Sequence, residues 1–140
     1  MNVRGMLQTL LLLACVLLAG CSSRTPPVSG RITLNGKPLA KASVTFAPVA
    51  TKGEQEPGPS SAGITDENGR YSLTLIGQSG RGAMIGKHKV MIALQEEVNT
   101  ADDNPVKLKQ LPLKYNGQTT LEFDVPAGGT DKADFDLKVP

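Results

Sequence analysis

Apolar and polar residues alternate in short runs over residues 28–140, and none of the runs has the period of an amphipathic helix. Alternation with a period of two places successive side chains on opposite faces of a β-strand. The sequence therefore predicts an all-β domain, a single antiparallel sandwich of seven or eight strands. The runs that predict these strands are 28–34, 42–48, 62–65, 70–75, 87–94, 111–115, 121–125 and 133–139.

Turn-forming residues separate the predicted strands. Asn35-Gly36 is a two-residue hairpin signal, because a type I′ turn needs a positive φ at both central positions. Asp66-Glu67-Asn68-Gly69 predicts a second hairpin, which would pair 62–65 with 70–75. Three longer polar or glycine-rich segments, 49–61, 76–86 and 95–110, are expected to form loops, and loops on a rigid sandwich commonly carry recognition.

The first twenty residues have the order of an export signal: a basic residue, Arg4, then an apolar run from residue 10 to residue 19. Leu18-Ala19-Gly20-Cys21 follows and resembles the lipobox of bacterial lipoproteins. The resemblance implies a diacylglycerol thioether on Cys21, cleavage between Gly20 and Cys21, and acylation of the new amino terminus. Two alternatives remain open, an ordinary secretory signal and an uncleaved membrane helix, for which an apolar run of about ten residues is short.

Removal of residues 1–20 changes the net charge and the cysteine content of the chain. Without Arg4 the formal charge falls from +2 to +1, so the chain has no basic field to attract nucleic acid. Cys15 leaves with the signal, and acylation uses the thiol of Cys21, so no disulfide or cysteine metal site is expected. Residues 21–27 are expected to be a short flexible tether before a domain at 28–140.

Several segments resemble carboxypeptidase regulatory-like domains, which are transthyretin-like (prealbumin) β-sandwiches. The resemblance rests on Val28-Ser29-Gly30-Arg31-Ile32-Thr33-Leu34-Asn35-Gly36-Lys37-Pro38-Leu39, on Ala42 to Phe46, on Thr65 to Leu73, and on Gly86 to Val90. Leu111 to Asn116 is similar to a late element of small bacterial lipoproteins built on this domain. The resemblance implies a prealbumin- or immunoglobulin-like sandwich that acts as an attached, non-catalytic module.

Few residues are candidates for catalysis or for binding a ligand. Asp66 and Asn68, with Glu67 between them, could supply oxygen ligands to calcium, although such residues before a glycine more often form a turn. Tyr115 is the aromatic residue with the best prospect of being exposed for stacking against a sugar. His88 is the only histidine, and its parity with Val90 and Ile92 predicts a position at the mouth of the core or on an edge. A small hydrolase of the transthyretin-related type would need more histidines than this.

Together these features predict a lipid-anchored, exported module of the bacterial envelope that binds or supports other components without catalysis. The expected partners are the membrane, through acyl chains on Cys21, and an envelope protein or polysaccharide. We expect a monomer with no cofactor and no bound nucleic acid. The resemblance to bacterial lipoproteins also implies that Ser22, directly after Cys21, favours the outer membrane over the inner one. A weak carbohydrate- or calcium-binding module is the alternative function.

Overall fold

The computed structural model describes residues 24–53, 56–94 and 111–140, and in these segments the chain forms two β-sheets. The lipobox residues Leu18, Ala19, Gly20 and Cys21 lie outside the described residues. Within the described ranges, no helix is both long enough and apolar enough to cross a membrane. The strands are β1 Ser29–Leu34, β2 Lys37–Pro38, β3 Ala42–Pro48, β4 Ser61–Ile64, β5 Arg70–Ser72, β6 Thr74–Leu75, β7 Gly86–Leu94, β8 Glu122–Val125 and β9 Phe135–Leu137.

The first sheet is arranged around β1, which pairs with β2, β5 and β9. The Asn35-Gly36 turn joins β1 to β2 with φ values of 50° and 80°, which confirms the predicted two-residue hairpin. Asp136 of β9 stabilises the end of this sheet at which β1 turns into β2. Its Oδ1 accepts hydrogen bonds from the Thr33 hydroxyl at 2.7 Å and from the Gly36 N–H at 3.2 Å.

The second sheet has the order β6-β4-β3-β7-β8, and all of its neighbouring strands are antiparallel. The longest pairing joins β3 to β7, from Ala42 opposite Leu94 to Pro48 opposite His88. Pro48 is the last residue of β3, as expected for a residue without an N–H to donate.

The core lies between the two sheets and is lined by the residues whose parity predicted an inward face. Alternate residues of β3 and β7 are fully buried there, including Val44, Phe46, Val90 and Ile92. The Phe46 ring packs against the Phe123 ring at a centroid distance of 5.7 Å and against the Phe135 ring of the other sheet at 6.2 Å. Aromatic contacts of this kind stabilise the packing of one sheet against the other.

Two strand pairings differ from the prediction. β9 runs parallel to β1, with Ile32 opposite Phe135, so the first sheet is mixed and not wholly antiparallel. The predicted hairpin of 62–65 with 70–75 is also wrong in part. β5 pairs with β1 in the first sheet, and only the short β6 returns to pair with β4. The turn after β4 therefore carries the chain from one sheet to the other.

Residues 24–27 are packed against the sandwich, where the sequence predicted a flexible tether. Pro26 is buried, and its carbonyl accepts a hydrogen bond from the Ala83 N–H at 3.3 Å. The Pro27 carbonyl accepts from the Thr130 N–H at 3.0 Å. Gly82 and Gly129 allow this approach, because a Cβ at either position would overlap the carbonyl oxygen of Pro26 or Pro27. The packed part of the chain thus begins before Val28.

Candidate functional site

An open groove of about 700 Å³ lies beside β1 and β5. Its walls come from the start of β1, the end of β4 with the turn that follows it, β5, and the segment leading into β9. The lining residues are Ser29, Gly30, Arg31, Ile64, Asp66, Arg70, Tyr71, Ser72, Asp131, Lys132 and Asp134. Three stretches that are distant in sequence, 29–31, 64–72 and 131–134, thus meet at one surface.

Charges of both signs line the groove: three basic side chains and three carboxylates. Arg31 is held in place, because its Nε donates to the Asn68 carbonyl at 3.0 Å and its backbone N–H donates to Asp134 Oδ1 at 2.8 Å. Within the described part of the chain, the side chains of Arg70, Lys132 and Asp131 have no ion pair or side-chain hydrogen bond. These three charges are therefore available to a ligand.

Tyr71 forms the inner wall of the groove. Its hydroxyl donates a hydrogen bond of 2.6 Å to the Ala133 carbonyl, and the side chain is buried. Burial raises the pKa of this phenol well above its ordinary value, and the nearby carboxylate of Asp134 acts in the same direction. Tyr71 therefore remains neutral and holds the segment before β9 against β5.

Asp66 and Asn68, the residues considered as calcium ligands, form the turn between β4 and β5. Asp66 Oδ1 accepts from the backbone N–H groups of Asn68 at 2.8 Å and of Arg70 at 2.9 Å. The carboxylate therefore closes an Asx turn, the structural alternative considered for this motif. Across the described residues, no group of three or more His, Cys, Asp or Glu residues is placed to hold a metal ion.

Tyr115 lies away from the groove, and the expectation that it is exposed is wrong. It closes a 3₁₀ helix at Leu113–Tyr115, where the sequence predicted a strand or an extended corner, and only 8% of its surface is accessible. Its hydroxyl donates to the Lys138 carbonyl and accepts from the Lys138 N–H, both at 2.8 Å. The ring thus attaches this helix to the chain beyond β9, while Leu113 points outward.

His88 lies inside the core, deeper than the mouth or edge position that its parity predicted. It occupies β7, between β3 and β8, with 1% of its surface exposed. Its Nδ1 lies 2.9 Å from the Gly86 carbonyl, which can only accept, so Nδ1 carries the proton. Nε2 has no hydrogen-bond partner in the described structure, and the Phe46 ring lies 5.7 Å away.

Burial lowers the pKa of His88, although the Gly86 carbonyl and the Asp124 carboxylate act in the opposite direction. The unfolded chain therefore binds a proton more readily than the folded one. The histidine's contribution to the free energy of unfolding is complete above the unfolded pKa of about 6.5 and is lost as the pH falls from there toward the lower folded pKa.

We expect the free energy of unfolding to decrease between about pH 7 and pH 5, before most carboxylates titrate. Urea titrations at several pH values would measure this decrease in the free energy of unfolding. Because His88 is the only histidine, His88→Leu should flatten this part of the profile, whatever its effect on stability at neutral pH. An unchanged slope in the variant would assign the pH dependence to other groups.

In comparisons with known proteins, no family model, curated protein or solved structure matches this chain. The groove is therefore interpreted from its own residues. Of the residues singled out in the sequence, only Asp66 lines it. Arg31, Arg70 and Lys132 gave no signal, because each is an isolated basic residue on a predicted strand or turn. The pairing of β5 with β1, and the hydrogen bond of the segment before β9 to Ser29 at the start of β1, bring them together.

Proposed function

We propose that this chain is a lipid-anchored, exported β-sandwich that acts as a non-catalytic binding module of the bacterial envelope. The observation that carries the proposal is Leu18-Ala19-Gly20-Cys21, which follows a short apolar run and directly precedes the domain. A thioether-linked diacylglycerol on Cys21 and a further acyl chain on its amino group would give stable anchoring, whereas a single chain binds marginally. Loss of the Cys21 thiol removes the site of attachment and tests the anchor.

Other features of the chain support the same proposal. The resemblance of residues 28–46 to carboxypeptidase regulatory-like domains favours an attached, non-catalytic module. Ser22 favours the outer membrane, and the near-neutral charge of the mature chain disfavours nucleic acid as a partner. The module acts as a monomer and needs no cofactor in this proposal.

The groove beside β1 and β5 is the proposed binding surface, and an envelope protein is the proposed partner. Arg70, Lys132 and Asp131 offer charges of both signs, which suits a peptide segment with its own acidic and basic side chains. Ile64, 54% exposed at the rim, adds an apolar contact. A polysaccharide is less well matched, because both tyrosines are buried and the chain has no tryptophan on which a sugar ring could stack.

A photo-crosslinking amino acid at Ile64, introduced into the full-length protein in intact cells, tests the groove. The matched control is the same amino acid at Leu113, an aliphatic residue of similar exposure that does not line the groove. We expect an adduct with another protein from position 64 and none from position 113. Mass spectrometry would identify it. Adding Arg70→Glu and Lys132→Glu should reduce the adduct about tenfold, since each lost charge pair contributes up to about 1 kcal/mol.

Two results would contradict the groove assignment. One is equal adduct formation from positions 64 and 113. The other is an adduct from position 64 that persists unchanged after both basic residues of the groove, Arg70 and Lys132, are reversed in charge. Either would leave the anchor untouched, because neither change involves residues near Cys21 in the sequence.

A further inference from the structure

One end of the sandwich, here called the anchor end, receives the chain from the lipidated residue. The Arg24 carbonyl accepts a hydrogen bond from the Ile85 N–H at 3.3 Å, which places Arg24 beside the residue that precedes β7. Cys21 lies three residues before Arg24, and an extended chain of that length reaches at most about 11 Å. A lipid on Cys21 would therefore hold this end close to the membrane surface.

The strand directions of the second sheet define which other residues lie at the anchor end. β3 and β6 both run antiparallel to β4, and β7 and β4 both run antiparallel to β3. The ends of β3 and β6 and the starts of β4 and β7 are therefore at the same end of the sheet. Ile76 follows β6 directly, and its N–H donates to the Ser60 carbonyl at 2.9 Å. Ile85 precedes β7.

Both isoleucines at the anchor end are exposed. Ile76 is 52% accessible and Ile85 is 44% accessible. Two basic residues accompany them: Arg24, beside Ile85, and Arg81, whose backbone bridges to Thr74 of β6. Both arginines are exposed. The neighbouring loop, residues 49–60, carries one basic residue, Lys52, and two acidic residues, Glu54 and Glu56. Apolar side chains flanked by arginine match the boundary between headgroups and acyl chains of a bilayer.

The N-terminal segment is packed against the sandwich, so the fold sets the direction in which it leaves this end. Three backbone hydrogen bonds hold residues 24–27, and the Pro26 and Pro27 carbonyls lie so close to Gly82 and Gly129 that a Cβ at either glycine would overlap them. A free tether would let the sandwich tumble above the membrane. A packed segment directs one end toward it.

We propose that the anchor end, through Ile76, Ile85, Arg24 and Arg81, lies on the phospholipid bilayer as a second contact beside the acyl chains. This inference rests on the proposed lipid anchor. The contact fixes the orientation of the sandwich, with Ile64, at the opposite end of β4, directed away from the lipid. The groove beside it then faces the compartment in which a partner would be met.

Tryptophan fluorescence tests this orientation, because the chain has no tryptophan of its own. Three single variants are needed: Ile76→Trp and Ile85→Trp at the anchor end, and Ile64→Trp as the matched control, an isoleucine of similar exposure at the other end of the same sheet. The mature chain from Cys21 contains all nine strands and one cysteine. It is coupled through that thiol to a maleimide lipid in phospholipid vesicles containing brominated acyl chains.

We expect tryptophan at 76 and at 85 to be quenched by the brominated lipid about twofold more than tryptophan at 64, since interfacial side chains reach the boundary of the acyl chains. Two variants at the anchor end keep the test decisive if one of them misfolds, which far-ultraviolet circular dichroism would reveal. Equal quenching at all three positions, or stronger quenching at 64, would overturn the proposal. A partner protein on this end in place of lipid would give no quenching at 76 or 85.

The lipid in this experiment is attached chemically, so its outcome does not depend on acylation in the cell. If the cell does not acylate Cys21, the proposed anchor fails while the vesicle measurement still reports the orientation. If the coupled protein is bound but tryptophan at 76 and 85 is unquenched, the orientation fails while the anchor stands.

Discussion

Cys21→Ala is expected to abolish fatty-acid incorporation into this protein. The thiol of Cys21 is the proposed acceptor of the diacylglycerol, and alanine offers no nucleophile in its place. Each buried methylene of an acyl chain contributes about 0.8 kcal/mol to membrane binding, so loss of the acyl chains removes most of the anchoring free energy. Metabolic labelling with an alkyne-bearing palmitate, followed by mass spectrometry of the amino-terminal peptide, would measure the effect. In the unaltered protein that peptide should begin at Cys21 and carry the lipid mass.

The chain supplies its own control for this experiment. Cys15 is the only other cysteine and lies within the proposed signal, so Cys15→Ala should incorporate label as fully as the unaltered protein. Label that persists in the Cys21→Ala protein would contradict the proposal, as would an unaltered protein that retains residues 1–20. The ordinary secretory signal, the alternative left open by the sequence, would give an amino terminus without lipid in all three proteins.

Gly30→Ala is expected to destabilise the sandwich by about 3 kcal/mol, the upper part of the range for overpacking a core. A Cβ at position 30 would overlap the backbone carbonyl of Ala133. Ala133 is held at both of its backbone groups, because its N–H donates to the Ser29 carbonyl at 3.1 Å and its carbonyl accepts from the Tyr71 hydroxyl at 2.6 Å. The added methyl group can be accommodated only if β1 moves away from the segment before β9. Denaturant unfolding followed by circular dichroism would measure the loss.

Gly128→Ala is the matched control for this substitution. A Cβ at position 128 meets no atom within 4 Å, and its φ is not positive. We therefore expect a change of about 0.5 kcal/mol or less, as for surface substitutions in general. Equal stability of the Gly30→Ala and Gly128→Ala proteins would mean that β1 and Ala133 are not in close contact in solution. Because Gly30 and Tyr71 also line the groove, the first variant should lose the position 64 adduct as well.

The alternation of apolar residues predicted the strands well because alternation is local. Residues of one parity, such as Val44 and Phe46 of β3 or Val90 and Ile92 of β7, must face a core if the chain is to bury apolar surface. The Asn35-Gly36 turn was predictable for a similar reason, since positive φ at two successive positions depends on those residues themselves. Neither inference required knowledge of which strands pair.

Strand pairing was harder to predict because parity identifies the buried face and not the neighbour. Arg70–Ser72 has the same alternation whether it pairs with β4 or with β1, and the Asp66 turn is compatible with a hairpin or with a crossover to the other sheet. The parallel alignment of β9 with β1 joins residues about a hundred positions apart. Both pairings are decided by the packing of the whole sandwich.

The candidate site, too, was predictable from the sequence only in part. Asp66 was recognised from its turn motif, but its groove partners Arg31, Arg70 and Lys132 come from three separate segments and have no common motif. Tyr115 was expected to be the more exposed of the two tyrosines, yet its hydroxyl is paired with the backbone at Lys138. A long-range hydrogen bond of this kind leaves no local signal.

The sequence by itself determined that the chain forms an all-β sandwich, where several of its strands and its first turn lie, and which residues line most of its core. It also carries Leu18-Ala19-Gly20-Cys21, the segment resembling a lipobox on which the proposed anchor rests. Only the tertiary structure decided how the strands pair, that residues 24–27 pack beside Gly82 and Gly129, and that charged residues from three distant stretches of the chain form one groove. The physical reason is range: backbone conformation and side-chain parity depend on near neighbours, whereas pairing, docking and clustering depend on the packing of the whole chain.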